Sequence, residues 1–388
     1  MAAAAELTTR PWLRSRWDRL NGPARIGGVD LARGLAVLGM FAAHLLWIDA
    51  FDWADAGSWI GVVNGRSSIL FATLAGVSIG LVTGGRIPLR GEALTIARLR
   101  LVVRACLLWL LGIVLVATGV PVYVILPAYA ILFLLTLPFV SLSARVLLTL
   151  AGILAVVMPL VQPLLEAPRF WSTPAGNDLD LLIGWHYPFP VWIAFVIAGL
   201  GVARAGVTRR RVQLWTLGAG AALAILAYGA DAVSGADIEQ EQASWAGAVW
   251  TARAHSSGIL EVVGSGGFAL AVIALCLLVC RSWSGSGLGP VGLVLLPIRA
   301  VGAMPLTAYT AQIMVWWAVA WTVLGDVGNL RGIRNLEPFW PLTLCTIVGC
   351  TVWALLVGRG PLEWLFDRIA KLTVRTPADP SGDPAPRG

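Results

Sequence analysis

The chain has 388 residues, of which 58% are hydrophobic and only 13% charged, with a mean hydropathy of +0.79. A soluble domain carries about a quarter charged residues, so this composition excludes a soluble globular protein and defines an all-α, polytopic membrane bundle. The formal charge of +7 comes almost wholly from arginine and follows the pattern of a topology signal, so no nucleic-acid partner is expected.

Residues 1–25 are a basic segment carrying Arg10, Arg14, Arg16, Arg19 and Arg25. The segment has no apolar core and is not expected to act as a secretory signal. Trp12 and Trp17 among the arginines suit a stretch lying on the membrane surface. Apolar runs of span length follow at 28–48, 67–83, 101–118, 122–140, 146–164, 188–203, 212–231, 257–280, 300–324 and 341–358. The spacing therefore predicts about ten transmembrane helices within a domain covering 26–358. Pro305 is expected to kink or delay the ninth. Residues 359–375 read as an amphipathic helix on the inner surface, and 376–388, rich in Pro and Gly, as a disordered tail.

The loops alternate in charge. Arg86, Arg90, Arg98 and Arg100 follow the second run, Arg145 the fourth, Arg204 and Arg209 to Arg211 the sixth, and Arg281 the eighth. The opposite loops carry Asp49, Asp52 and Asp55; Glu166, Asp178 and Asp180; Asp237, Glu239 and Glu241; Asp326 and Glu337. Basic loops stay cytoplasmic, so both termini are expected there, in a multi-pass protein of the plasma (inner) membrane.

The first span holds three ionisable residues, Asp30, Arg33 and His44. Each costs about 2.5–3.5 kcal/mol in hydrocarbon even on the lenient insertion scale. Arg33, Val37, Met40 and His44 are separated by steps of 4, 3 and 4, so they form one stripe of the helix. A rise of 1.5 Å per residue sets Arg33 and His44 roughly 16 Å apart along the axis. Asp30 and Arg33 share a face and can pair.

The topology puts all three histidines, His44, His186 and His255, towards the outer side. His186 also fits a purely structural, hydrogen-bonded role. The segment around His255 is polar, with Arg253, Ser256 and Ser257. Histidine spacing shows no metal-binding pattern, and no metal is expected. The five cysteines lie in apolar runs and read as free, small apolar residues. Arg66 opposes the positive-inside bias. It either pairs with Asp49, Asp52 or Asp55 or polarises a substrate carbonyl. Glu261 and Asp231 are carboxylates placed to orient a histidine.

The pattern Arg25-x4-Asp30-x2-Arg33-Gly34-x5-Met40-x3-His44 resembles the opening signature of membrane acyltransferases related to heparan-α-glucosaminide N-acetyltransferase, most of all the bacterial, actinobacterial-type branch. The resemblance runs on through Gly65–Gly85, Tyr187–Arg204, Ala254–Val279, Met304–Val315 and Gly360–Arg368. It implies transfer of an acyl group, in the first place acetyl, from cytoplasmic acyl-CoA to an extracytoplasmic sugar or glycolipid, in a bilayer-embedded protein for which the resemblance makes a homodimer plausible and leaves the oligomeric state open.

Where relatives often read Tyr-Thr-x-His in span nine, this chain has Tyr309-Thr310-Ala311-Gln312. The proton chemistry therefore concentrates on His44 and His255, with His186, Glu261, Tyr309 and Gln312 in support. Arg66 or Ser256 would stabilise the oxyanion, and Asp30, Arg33, Arg25 and the arginine cluster around Arg204 would hold the CoA phosphates. The competing reading is a transporter or flippase that moves a solute or lipid-linked sugar along the same charged path without covalent change.

Overall fold

Hydrocarbon offers no water to backbone N–H and C=O groups, so each spanning run has to close its hydrogen bonds within a helix. The computed structural model describes residues 25–49, 51, 54–167, 169–234, 244–281 and 294–375, and its regular structure among these is helical throughout. The basic segment before residue 25, the tail from 376, and Asp52, Asp237, Glu239 and Glu241 lie outside the described residues.

In chain order the helices are α1 (Gly27–Leu45), α2 (Arg66–Val82), α3 (Gly91–Val116), α4 (Leu126–Thr136), α5 (Ala144–Glu166), α6 (Pro174–Ile183), α7 (Phe189–Ala205), α8 (Arg210–Ser234), α9 (Trp245–Val249), α10 (Ile259–Arg281), α11 (Leu296–Ala303), α12 (Pro305–Val319), α13 (Leu330–Asn335), α14 (Phe339–Leu356) and α15 (Pro361–Thr373). A 3-10 helix, Ala56–Val63, leads into α2, and a π-turn, Ala320–Leu324, extends α12.

Among the described residues, seven helices are long and apolar enough to cross a membrane: α1, α2 with its 3-10 lead, α3, α5, α8, α10 and α14. The runs expected at 122–140 and 188–203 appear as shorter apolar helices, α4 with its 3-10 extension and α7. The run at 300–324 is divided at Met304, and α12 restarts with Pro305 in its first turn. A proline there loses no helical hydrogen bond and has the right φ already.

Helix α7 is buried nearly all round, packed against α2, α5 and α4. Glycines let it come close. A Cβ at Gly76 of α2 would strike the carbonyl oxygen of Val196, and one at Gly199 of α7 that of Thr73. With no hydrophobic driving force between helices in lipid, such close backbone approach is what holds them.

At the end of α7 the buried Arg204 donates to the carbonyls of Gly80 (2.9 Å) and Thr83 (3.2 Å), to the Thr83 hydroxyl (2.7 Å), and to the carbonyls of Gly85 and Val140. It satisfies the free carbonyls at the C-terminus of α2. The structure thus spends Arg204 on tying helices together, and it does not face the cavities described next.

Candidate active site

Helix α1 runs between two cavities. Arg33 lines one, of about 340 Å³, together with Arg25, Ser78, Arg104, Arg359, Glu363 and Asp367. Met40 and His44 line the other, of about 140 Å³. Val37 is fully buried between them. The stripe expected from the sequence is therefore divided: its cation faces the first cavity and its imidazole the second.

In the arginine cavity, Asp30 is buried and grips Arg25 through both carboxylate oxygens (2.9 and 3.0 Å). It also meets Arg33 at 3.4 Å. Arg33 donates to Ser78 Oγ at 2.6 Å. Asp30 does not line the cavity itself. It neutralises part of the local charge and aims the two guanidinium groups, which removes much of the cost of placing them at membrane depth.

The floor of this cavity comes from α15. Glu363 accepts the backbone N–H groups of Leu306 (2.7 Å) and Thr307 (3.1 Å) and the Thr307 hydroxyl (2.6 Å), capping the restarted helix α12. Asp367 binds Arg104 (2.9 Å), Arg359 (2.7 Å) and Lys371 (2.7 Å). Burial tends to raise the Asp367 carboxyl, but hydrogen bonds and charge from these cations outweigh it and hold the group below its ordinary value. The sequence reading missed Arg104 and Arg359, since nothing local marks which surface arginines turn inward.

The histidine cavity brings together residues far apart in the chain: His44 of α1, Tyr123 before α4, His186 and Tyr187 before α7, His255 before α10, Tyr309 of α12 and Arg334 of α13. The Tyr123 ring stacks on His186 (centroids 3.5 Å apart, 7° between planes), and His186 lies 5.2 Å from His255. Tyr187 meets His186 edge-on and donates its hydroxyl to the Tyr123 carbonyl at 3.0 Å. Gly184, at φ +66°, ends α6 in the left-handed region and turns the chain into this cluster. Beside His44, Gln312 places Nε2 3.3 Å from Nδ1. Tyr309 accepts the Ile125 N–H at 3.5 Å.

His255 sits in a tight turn held by one carboxylate. Glu261, buried in the first turn of α10, accepts the backbone N–H of His255 (2.5 Å) and of Ser257 (2.6 Å) and the Ser256 hydroxyl (3.2 Å). Both His255 (φ +63°) and Ser257 (φ +58°) are left-handed, a conformation that non-glycine residues adopt at a cost. Ser256 serves this turn, also accepting the Gly258 N–H at 3.2 Å, and does not line the cavity. Asp231 accepts the Ala252 N–H (2.8 Å), so it supports the same loop from α8.

Arg66 is elsewhere than expected. It donates to the Tyr228 hydroxyl at 2.7 Å and lies over that ring at 4.6 Å, and it lines neither cavity. The charge in the histidine cavity is Arg334. It donates Nε to the His44 carbonyl (3.1 Å) and rests over the Trp47 ring at 5.1 Å. A sequence signal existed: Arg331 and Arg334 stand in a loop otherwise marked by Asp326 and Glu337, the same departure from the charge pattern that drew attention to Arg66.

A layer of touching side chains lies between the cavities. Ser68, Ile125 and Tyr309 face the histidine side, and Phe71, Leu126 and Tyr129 the arginine side. Tyr129 donates to the Ser68 carbonyl at 3.1 Å and stacks on Phe71. No cluster of His, Cys, Asp or Glu with metal-binding geometry occurs among the described residues.

Burial and the neighbouring His255 push the His186 imidazole down from 6.5 to about 4, and burial lowers His255 as well. The fold therefore favours the neutral rings. Their contribution to stability is complete above the unfolded value of about 6.5 and is lost as pH falls from there towards 4. The melting temperature should be level from pH 8 to 7 and drop below 6.5, and His186→Gln should reduce the drop. A drop of equal size in the variant would show that other groups cause it.

Apolar helices of membrane-spanning length that carry buried ionisable residues beside two cavities define a multi-pass membrane protein. The family model described as heparan-alpha-glucosaminide N-acetyltransferase, catalytic, matches residues 25–232, more than half of the chain, and the protein belongs to that family. No curated protein and no solved structure matches it significantly. The match ends within α8. His255, Arg334 and the α15 residues Glu363, Phe366 and Asp367, which complete the two cavities, lie beyond it, as do Glu261 and Gln312.

Proposed function

We propose that the protein is a transmembrane acetyltransferase, taking acetyl from acetyl-CoA in the arginine cavity and passing it to a hydroxyl or amine of a sugar or glycolipid in the histidine cavity. The observation that carries this reading is the contact layer in which Tyr129 and Phe71, on the wall of a cationic pocket, meet Ser68, on the wall of a pocket of imidazoles. The charge pattern of the loops favours a cytoplasmic arginine cavity and an extracytoplasmic histidine cavity.

Arg25, Arg33, Arg104 and Arg359 match the phosphates of CoA, which planar guanidinium groups bind through paired hydrogen bonds. With the phosphates held there, the pantetheine arm reaches towards the layer, and Tyr129 and Phe71 move aside to admit the thioester. His44 takes the proton of the acceptor hydroxyl or amine as its oxygen or nitrogen attacks the carbonyl carbon. The C–S bond breaks, and CoA leaves as a thiolate that regains a proton. A donor beside the cavity, Tyr309, suits the negative charge that develops on the carbonyl oxygen. His255 lies across the same cavity as a second proton carrier.

The test is purified protein in nanodiscs with [14C]acetyl-CoA, following CoA thiol release and label in a sugar acceptor. Thiol release is expected. Arg33→Gln should raise the KM for acetyl-CoA about tenfold, the value of one charge-assisted contact. A transporter reading draws on the break at Met304–Pro305, since broken helices at membrane depth often bind solutes, and Ala303, Pro305 and Leu306 line the arginine cavity. Absence of both thiol release and acetyl-CoA binding would favour that reading and end the first.

A further inference from the structure

The histidine cavity has an unbalanced charge. Among its described lining residues, Arg334 is the one permanently charged side chain, and none of them is a carboxylate. Glu261 stands behind His255, fully engaged with the turn it holds. Arg334 forms no ion pair among the described residues. Its Nε is fixed on the His44 carbonyl and its plane on Trp47, which together set the direction of the guanidinium at the cavity wall. Cation–π contact and a single backbone acceptor hold a guanidinium in place without neutralising it. Its remaining N–H donors form the fork that recognises carboxylate and phosphate oxygens in pairs. The rest of the wall suits a sugar: the Tyr123 ring, stacked on His186 and exposed at the mouth, offers an aromatic face, and Asn64, Ser67 and Tyr309 add hydrogen-bonding groups.

We propose that Arg334 is a specificity residue that binds an anionic group, a carboxylate or a phosphate, on the acceptor beside the position that receives acetyl. This rests on the acetyltransferase reading for the role of the cavity. The ligand class, an acidic sugar, follows from the uncompensated guanidinium next to His44.

The experiment measures equilibrium binding of three radiolabelled probes to the full chain in phosphatidylcholine nanodiscs, without acetyl-CoA: methyl β-glucuronide, glucose 6-phosphate and the neutral methyl β-glucoside. At least one acidic probe is expected to bind about tenfold more tightly than the neutral one, and the stronger of the two identifies carboxylate or phosphate as the group recognised. Arg334→Gln should bring the acidic probes to the level of the neutral one. Arg334→Lys, which keeps the charge but loses the fork, should keep part of the preference. Arg331→Gln, exposed on the same short helix, should leave it unchanged. Equal binding of acidic and neutral probes by the unaltered protein overturns the proposal, whether or not the variants fold. So does an intact preference in Arg334→Gln, or no binding of either acidic probe. Because the readout needs no acetyl-CoA, its failure is separate from a failure of thiol release.

Discussion

His44→Ala is expected to lower acetyl transfer by on the order of 10²–10⁴-fold, the contribution of a positioned general base, while acetyl-CoA still binds in the arginine cavity. The separation follows from geometry. Arg33 and His44 lie on one stripe of α1, but the fully buried Val37 stands between them, so loss of the imidazole does not reach the guanidinium. The effect should fall on kcat, leaving the KM for acetyl-CoA nearly constant, as when an interaction made only in the transition state is removed. Gln312 sharpens the expectation. Its amide meets His44 Nδ1. As placed, the amide nitrogen faces Nδ1 and the amide oxygen is buried without a partner; a 180° turn of the amide puts that oxygen on Nδ1–H and makes Nε2 the free acceptor that a base requires. Gln312→Leu removes that choice of tautomer and should lower kcat about tenfold. Single-turnover measurements with [14C]acetyl-CoA check both variants. If His44→Ala keeps more than a tenth of the rate, His44 is not the base, and the same assay on His255→Ala shows whether that histidine is.

What could be read from the chain alone divides by range. The α1 stripe was legible because helical periodicity fixes which residues share a face without any knowledge of neighbours. The convergence of the three histidines was legible only as a shared side of the membrane. That His186 stacks on Tyr123 and touches His255 depends on loops from three places in the chain. Arg66 shows the limit most clearly. Its unusual placement was visible, but its partner Tyr228 lies 162 positions away, and no local pattern encodes that contact. Arg334 carried the same signal and lines the histidine cavity, which Arg66 does not. The lengths of the helices were hidden for a different reason. Hydropathy records apolar composition, not helix length. Pro121 to Ile125 are apolar but not helical, and four of those five residues line the histidine cavity. Non-helical backbone at such depth is tolerated where it borders a polar cavity, so the site itself shortens α4.

Glu261→Ala is expected to be the most damaging change outside α1. One carboxylate satisfies two backbone N–H groups and a hydroxyl, in a turn whose left-handed residues, His255 and Ser257, each carry strain of about 1–3 kcal/mol. Without it two buried donors are unpaired, at about 1–3 kcal/mol each, and the strain has nothing to hold it. The turn should relax, carrying His255 off His186 and opening the cavity wall. Stability should fall by roughly 2–5 kcal/mol and kcat by about 100-fold, with little change in the KM for acetyl-CoA, because the arginine cavity is built from other helices. Glu261→Gln keeps one acceptor oxygen and should lie between. Ser257→Gly separates strain from hydrogen bonding, since glycine occupies φ +58° freely. Added to Glu261→Gln, it should restore part of the stability and part of kcat. Thermal unfolding and steady-state kinetics on the four proteins read the two effects apart. If Glu261→Ala lost stability but kept its kcat at permissive temperature, the carboxylate would be a structural clamp only, and His255 would not need its place in the turn.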